Sequence, residues 1–70
     1  MAFDALVGNR LCVFYDDARV GDAKHVTRRI GLLISADEHH WIFCQDGHEQ
    51  SEVLMTDRII RSEMIGNGKQ

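Results

Sequence analysis

The sequence predicts one small, mainly β domain: a barrel of five short, bent strands preceded by a short N-terminal helix. Three observations predict it. Five runs of five to ten residues are dense in β-branched, aromatic and other apolar residues, the composition that fits a pleated, half-buried surface. Turn signals separate the last three connections, at Asp37-Glu38, Asp46-Gly47 and Asp57-Arg58. There is no proline, and Gly31 stands inside the longest run, where glycine marks a bend or a close backbone approach. Tight turns and a bent strand suit closure, which also removes exposed sheet edges.

Each element follows from local chemistry. Phe3, Leu6 and Val7 are spaced i, i+3, i+4 ahead of Gly8-Asn9, which predicts a short helix ended by residues that tolerate left-handed backbone. Residues 10–15 (RLCVFY) form the first expected strand, and the polar segment 16–24 a loop. Residues 26–35 form the second strand, 39–45 the third, 52–56 the fourth and 59–65 the fifth. Asp46-Gly47 is the strongest hairpin signal, because two-residue turns favour Asp-Gly. The domain is expected to span 1–65, with 66–70 as a C-terminal tail.

With 70 residues, the chain holds one domain with a modest core, and domains of this size lean on disulfides, metals or association. Cys12 and Cys44 allow at most one bridge. With no secretory signal read at the N-terminus, reduced thiols and a cytoplasmic location are expected. The apolar run 30–34 is too short to span a bilayer, so no membrane partner is expected. Association, as a homo-oligomer, is therefore the favoured device.

The strands do not alternate cleanly. Leu11, Val13 and Tyr15 oppose Cys12 and Phe14 in the first, and Trp41 and Phe43 oppose Ile42 and Cys44 in the third. A small barrel lines its interior with one set, and either strong bending or a partner covers the other. Phe14, Trp41, Phe43 and Met55 are the expected interface residues. Charge is also uneven: Arg19, Lys24, Arg28 and Arg29 crowd 19–29, whereas 37–57 carries six acids and no Lys or Arg. Such runs are mostly solvated loops. Alternatively they orient subunits head to tail.

The net charge of −3 argues against whole-molecule attraction to nucleic acid. An RNA-binding alternative places Arg28, Arg29, Arg58 and Arg61 on phosphates and Trp41 on a base. His39, His40, Cys44 and His48 invite a metal reading. However, His40 and Cys44 on one strand would lie about 13 Å apart, too far to share an ion. No phosphate loop, nucleophile elbow or acid–base pair is present; neither a catalytic residue nor a cofactor is expected.

Gly31, Leu33 and Asp37, followed by Ile42 and by Cys44 at a leucine position, are similar to the first motif of Sm/LSm-like barrels. This resemblance spans about a fifth of the chain, and the strand order extends it. It implies a short helix and five bent strands, with strands four and five pairing between subunits. The family's uridine-contacting asparagine position holds Trp41, after His40. The second motif's Arg-Gly pair is replaced by Met55-Thr56 after Leu54, with Ile59 at the later apolar position. The resemblance thus implies the barrel and its assembly without the uridine site. The expected function is a non-enzymatic protein–protein interaction module, self-associating and serving a larger nucleic-acid-processing machine.

Overall fold

The computed structural model describes residues 5–19 and 21–65. They form one antiparallel five-stranded sheet: β1 (Arg10–Asp16), β2 (Val26–Ala36), β3 (His40–Gln45), β4 (Glu52–Met55) and β5 (Ile59–Met64). The order across the sheet is β4-β3-β2-β1-β5, so the last two strands in sequence are the two edges. A single turn of 3-10 helix, Thr56–Arg58, joins them.

That short connection forces the sheet to curl. Four interstrand gaps of about 4.8 Å would hold flat edges roughly 19 Å apart. Three linking residues reach at most about 15 Å between Met55 and Ile59. A side chain ties the curl, because the Met55 N–H on β4 donates to Tyr15 Oη on β1 at 2.9 Å. Two irregularities bend the strands further: Ile34 is the extra residue in β2 between Leu33 and Ser35, and Ile60 is the extra residue in β5 opposite the Phe14–Tyr15 step of β1.

The expectation of a closed barrel is corrected. Among the described residues no ladder joins β4 to β5. The four-residue β4 ends in the 3-10 turn before it can run alongside β5. The expected N-terminal helix is also replaced. Residues 5–9 form turns, and no α-helix occurs among the described residues; Phe3 lies outside them. Main-chain bonds to β2 hold this segment: Gly8 N–H to the Leu33 carbonyl at 2.8 Å, and Leu33 N–H to the Asn9 carbonyl at 3.1 Å. Leu6 and Val7 thereby pack on the core from a turn.

The concave face of the sheet encloses the core: Leu11, Val13, Tyr15, Leu33, Trp41, Phe43 and Leu54. Gly31 permits the closest approach within it. A Cβ there would stand 2.1 Å from the Cys44 carbonyl oxygen and 2.6 Å from the Gln45 Cα, so only glycine fits between β2 and β3. Gly47 takes φ of 84° in the β3–β4 hairpin, the left-handed backbone that the Asp-Gly signal anticipates.

Candidate interaction surfaces

The register divides the side chains into an inner and an outer set. One end of the inner face is closed by polar groups instead of apolar ones. Arg29 Nη1 and Nη2 donate to both Asp17 carboxylate oxygens at 2.8 and 3.0 Å, and its Nε donates to Glu52 at 3.2 Å. The guanidinium carbon lies 4.8 Å from the Tyr15 ring centroid, and Gln45 Nε2 donates to Glu52 at 2.8 Å. Arg29 holds the Asp17 carboxyl below the usual aspartate range, and Asp17 in turn raises the guanidinium further. Every strong donor in this cluster meets an acceptor, so it acts as a plug that seals the core with charge-assisted bonds.

The outer face has two halves. On β5–β1–β2, Phe14 stands between Arg61 and Arg28 in cross-strand register. Arg61 lies over the Phe14 ring, 4.3 Å from its centroid, and also pairs with Glu63 at 2.7 Å. On β2–β3–β4 the outer side chains include an aliphatic group, with His40 opposite Met55 beside it. Leu32 pairs with Cys44, Ile42 pairs with Val53, and the β2 bulge sets Ile34 and Ser35 against Ile42. Leu32, Ile34, Val53 and Met55 are 42%, 46%, 56% and 39% exposed. An ion pair from Arg10 to Asp46 borders this aliphatic group; the arginine holds the Asp46 carboxyl low.

Beside the unpaired edge of β5 lies a groove of about 230 Å³, lined by Leu6, Trp41, Thr56 and Ile59 through Ser62. β5 and its approach carry Asp57, Arg58, Arg61 and Glu63, two charges of each sign, while the β3–β4 hairpin and β4 carry Asp46, Glu49 and Glu52.

The expected interface residues separate. Trp41 and Phe43 are 3% and 0% exposed and belong to the core, so the expectation that they face a partner is corrected. They share the inner phase with Leu33 and Leu54. Phe14 is half-buried under Arg61, and Met55 is exposed on β4. The residues that sequence reading missed are Leu32, Ile34 and Val53. Their signal was available: Leu33 follows Gly31 in the inner phase, which sends Leu32 outward.

The nucleic-acid candidates also scatter. Arg28 and Arg61 share the outer face with Phe14. Arg29 is engaged in the inner plug, Trp41 is core, and Arg58 donates to the Asp16 and Ala18 carbonyls at 3.1 and 2.6 Å. Of the histidine–cysteine group, the Cys44 thiol donates to the His48 backbone carbonyl at 3.3 Å. No group of three or more His, Cys, Asp or Glu able to hold a metal occurs among the described residues. Asp37, matched to the resembled motif, caps the β2–β3 turn by accepting the His39 and His40 N–H groups, both at 2.8 Å, which lowers its carboxyl. No described helix is long and apolar enough to cross a membrane. Comparison with protein-family models, curated proteins and solved structures finds no match.

Proposed function

We propose that this chain is a non-enzymatic protein–protein interaction module on an open, curled Sm-like sheet that self-associates through its edge strands. The observation that carries the reading is the sheet order: β4 and β5 are both edges, brought toward each other by a three-residue turn, with no ladder between them among the described residues. An unpaired edge presents a row of N–H and C=O groups ready for another strand. Setting β4 of one copy beside β5 of the next is a head-to-tail arrangement that can close a ring. The same pairing is what the Sm-like resemblance implies, and the groove along β5 gives the incoming strand apolar surface. The resemblance also suggests a nucleic-acid-processing machine as the larger assembly served.

Hydrogen exchange followed by mass spectrometry across a concentration series tests this reading. Amides of residues 52–55 and 59–64 are expected to gain protection as concentration rises, with light scattering giving a mass above that of a dimer. Unchanged edge exchange between dilute and concentrated protein would overturn it.

One observation favours a second reading, binding of single-stranded RNA through an altered site: the Arg28–Phe14–Arg61 row joins an aromatic ring to two cations. The first reading expects no binding of uridine-rich RNA at physiological salt. Sub-micromolar, salt-sensitive binding that weakens on Arg28→Ala would put the second reading first.

A further inference from the structure

The turn between β3 and β4 holds a reactive pair of residues. An aspartate followed by glycine is open to attack by its own main chain, because glycine places no side chain over the approaching nitrogen. Gly47 leaves that path clear, since a Cβ there would meet nothing within 4 Å. Its nitrogen also donates no hydrogen bond among the described residues, although both neighbours are tied: Asp46 N–H to the Ile30 carbonyl at 2.8 Å and His48 N–H to the Gln45 carbonyl at 3.0 Å. In the attack the Gly47 nitrogen bonds to Asp46 Cγ. One carboxylate oxygen leaves as water, taking the amide proton and one proton from solvent. Water then adds to the cyclic imide. Cleavage of the imide bond to the Asp46 main-chain carbonyl leaves the chain running through the side-chain carboxyl, an isoaspartate of unchanged mass.

Arg10 opposes this on two counts. Its Nε donates to Asp46 Oδ1 at 3.4 Å and its Nη2 donates to Oδ2, so one guanidinium holds both oxygens. Whichever oxygen leaves must first give up a charge-assisted bond, and the carboxyl cannot turn freely onto the next nitrogen. The neutral acid is also the better electrophile, and Arg10 keeps Asp46 ionised to lower pH. The register builds the clamp: Leu32 pairs with Arg10 on one side and Cys44 on the other, which brings Arg10 and Asp46 to one face across β2. From this geometry we infer that Asp46 is an isomerisation site and that Arg10 is its guard, an ion pair between strands that protects the hairpin chemically as well as linking β1 to β3. The inference does not depend on edge pairing. Isomerisation would lengthen the main chain leading into β4 and shift the carboxylate from its position against Arg10.

The test stores the full chain at neutral pH and about 37 °C, folded and in urea, then digests it with a protease that cleaves before aspartate but not before isoaspartate. Loss of cleavage between Gln45 and Asp46 without change of mass reads this site. Deamidation at Asn67-Gly68 adds mass and is told apart by that. In the folded state Arg10→Ala is expected to isomerise about two- to fivefold faster than wild type, the range open to an exposed ion pair. In urea the two chains should isomerise equally. Molar salt, which screens exposed pairs, should speed the folded wild type and leave Arg10→Ala unchanged. The salt arm needs only the wild type should Arg10→Ala fail to fold by circular dichroism. Equal rates in folded wild type and folded Arg10→Ala, or a folded wild-type rate indifferent to salt, would overturn the guard. Absence of isomerisation at Asp46 even in urea would overturn the site itself.

Discussion

The two faces of this sheet use the same residue types to opposite ends. Inside, Leu11, Val13, Leu33, Phe43 and Leu54 are fully enclosed. Outside, Leu32, Ile34 and Val53, equally apolar, stand about half in water. The difference lies in phase, because neighbouring positions on a strand point to opposite sides. Residue 33 is core and residues 32 and 34 are surface by virtue of one peptide step. The inner set carries the stability of the monomer. The outer set adds little to it, which leaves it free for contacts with other molecules.

The sharpest way to break this division is at Gly31, where the close approach of β2 and β3 sets the phase of both strands. Gly31→Ala puts a methyl against the Cys44 main chain, and neither partner is a flexible side-chain end. The expected cost is on the order of 3 kcal/mol or more, a large part of the stability of a small domain. Urea denaturation monitored by circular dichroism measures it, and a change below about 1 kcal/mol would mean that the strands separate easily there. Next in size is the contrast between faces. Phe43→Ala is expected to cost about 3–5 kcal/mol, whereas Ile34→Ala costs less than about 1 kcal/mol in dilute solution. Similar losses at the two sites would erase the distinction.

Much of this was legible in the sequence. All five strands fall within two residues of their expected ends, because turn chemistry marks them locally: Asp46-Gly47 needs left-handed backbone, and Asp37 caps its own turn. Gly31 was readable as a close approach for the same reason. Phase was not readable in β1 and β3, where both sides are apolar. Sequence alone places Trp41 and Phe43 against a partner, yet they share a face with Leu33 and Leu54, and that is settled only by the register between strands. Leu6 and Val7 illustrate another limit. Their spacing with Phe3 suits a helix, but so short a pattern is equally served by a turn held to β2 through Gly8 and Asn9. Closure depends on the path of β4 past the 3-10 turn, which no local signal encodes.

A smaller effect tests the curl that separates the faces. Tyr15 is buried in the core, and its hydroxyl accepts the Met55 N–H from the far side of the sheet. Tyr15→Phe keeps the ring under Arg29 but removes this acceptor, leaving a half-buried amide unpaired. The expected loss is about 1–2 kcal/mol, with faster hydrogen exchange confined to Met55 and its neighbours. A neutral result would show that the three-residue connection alone holds the curl.

The smallest expected effect concerns the polar plug at the end of the inner face. Arg29 holds Asp17 ionised to lower pH than an unfolded aspartate, whose ordinary value is about 3.9. A depressed folded value means that the unfolded chain binds the proton first, so the contribution is fully present above about pH 4 and is lost as pH falls through the lower folded value. Both side chains keep some contact with solvent, so screening limits the pair to roughly 1 kcal/mol or less. Asp17→Asn should therefore lower stability slightly at pH 7, where Glu52 still partners Arg29. Below pH 4 it should make the pH dependence shallower than in wild type. The slope should not vanish, because Asp16 and Asp37 are also held low by backbone N–H groups. Denaturation midpoints at pH 3, 4, 5 and 7 for both proteins decide the matter. Parallel curves would mean that Asp17 is not coupled to Arg29, and that the polar end of the inner face is solvated surface with no sealing role.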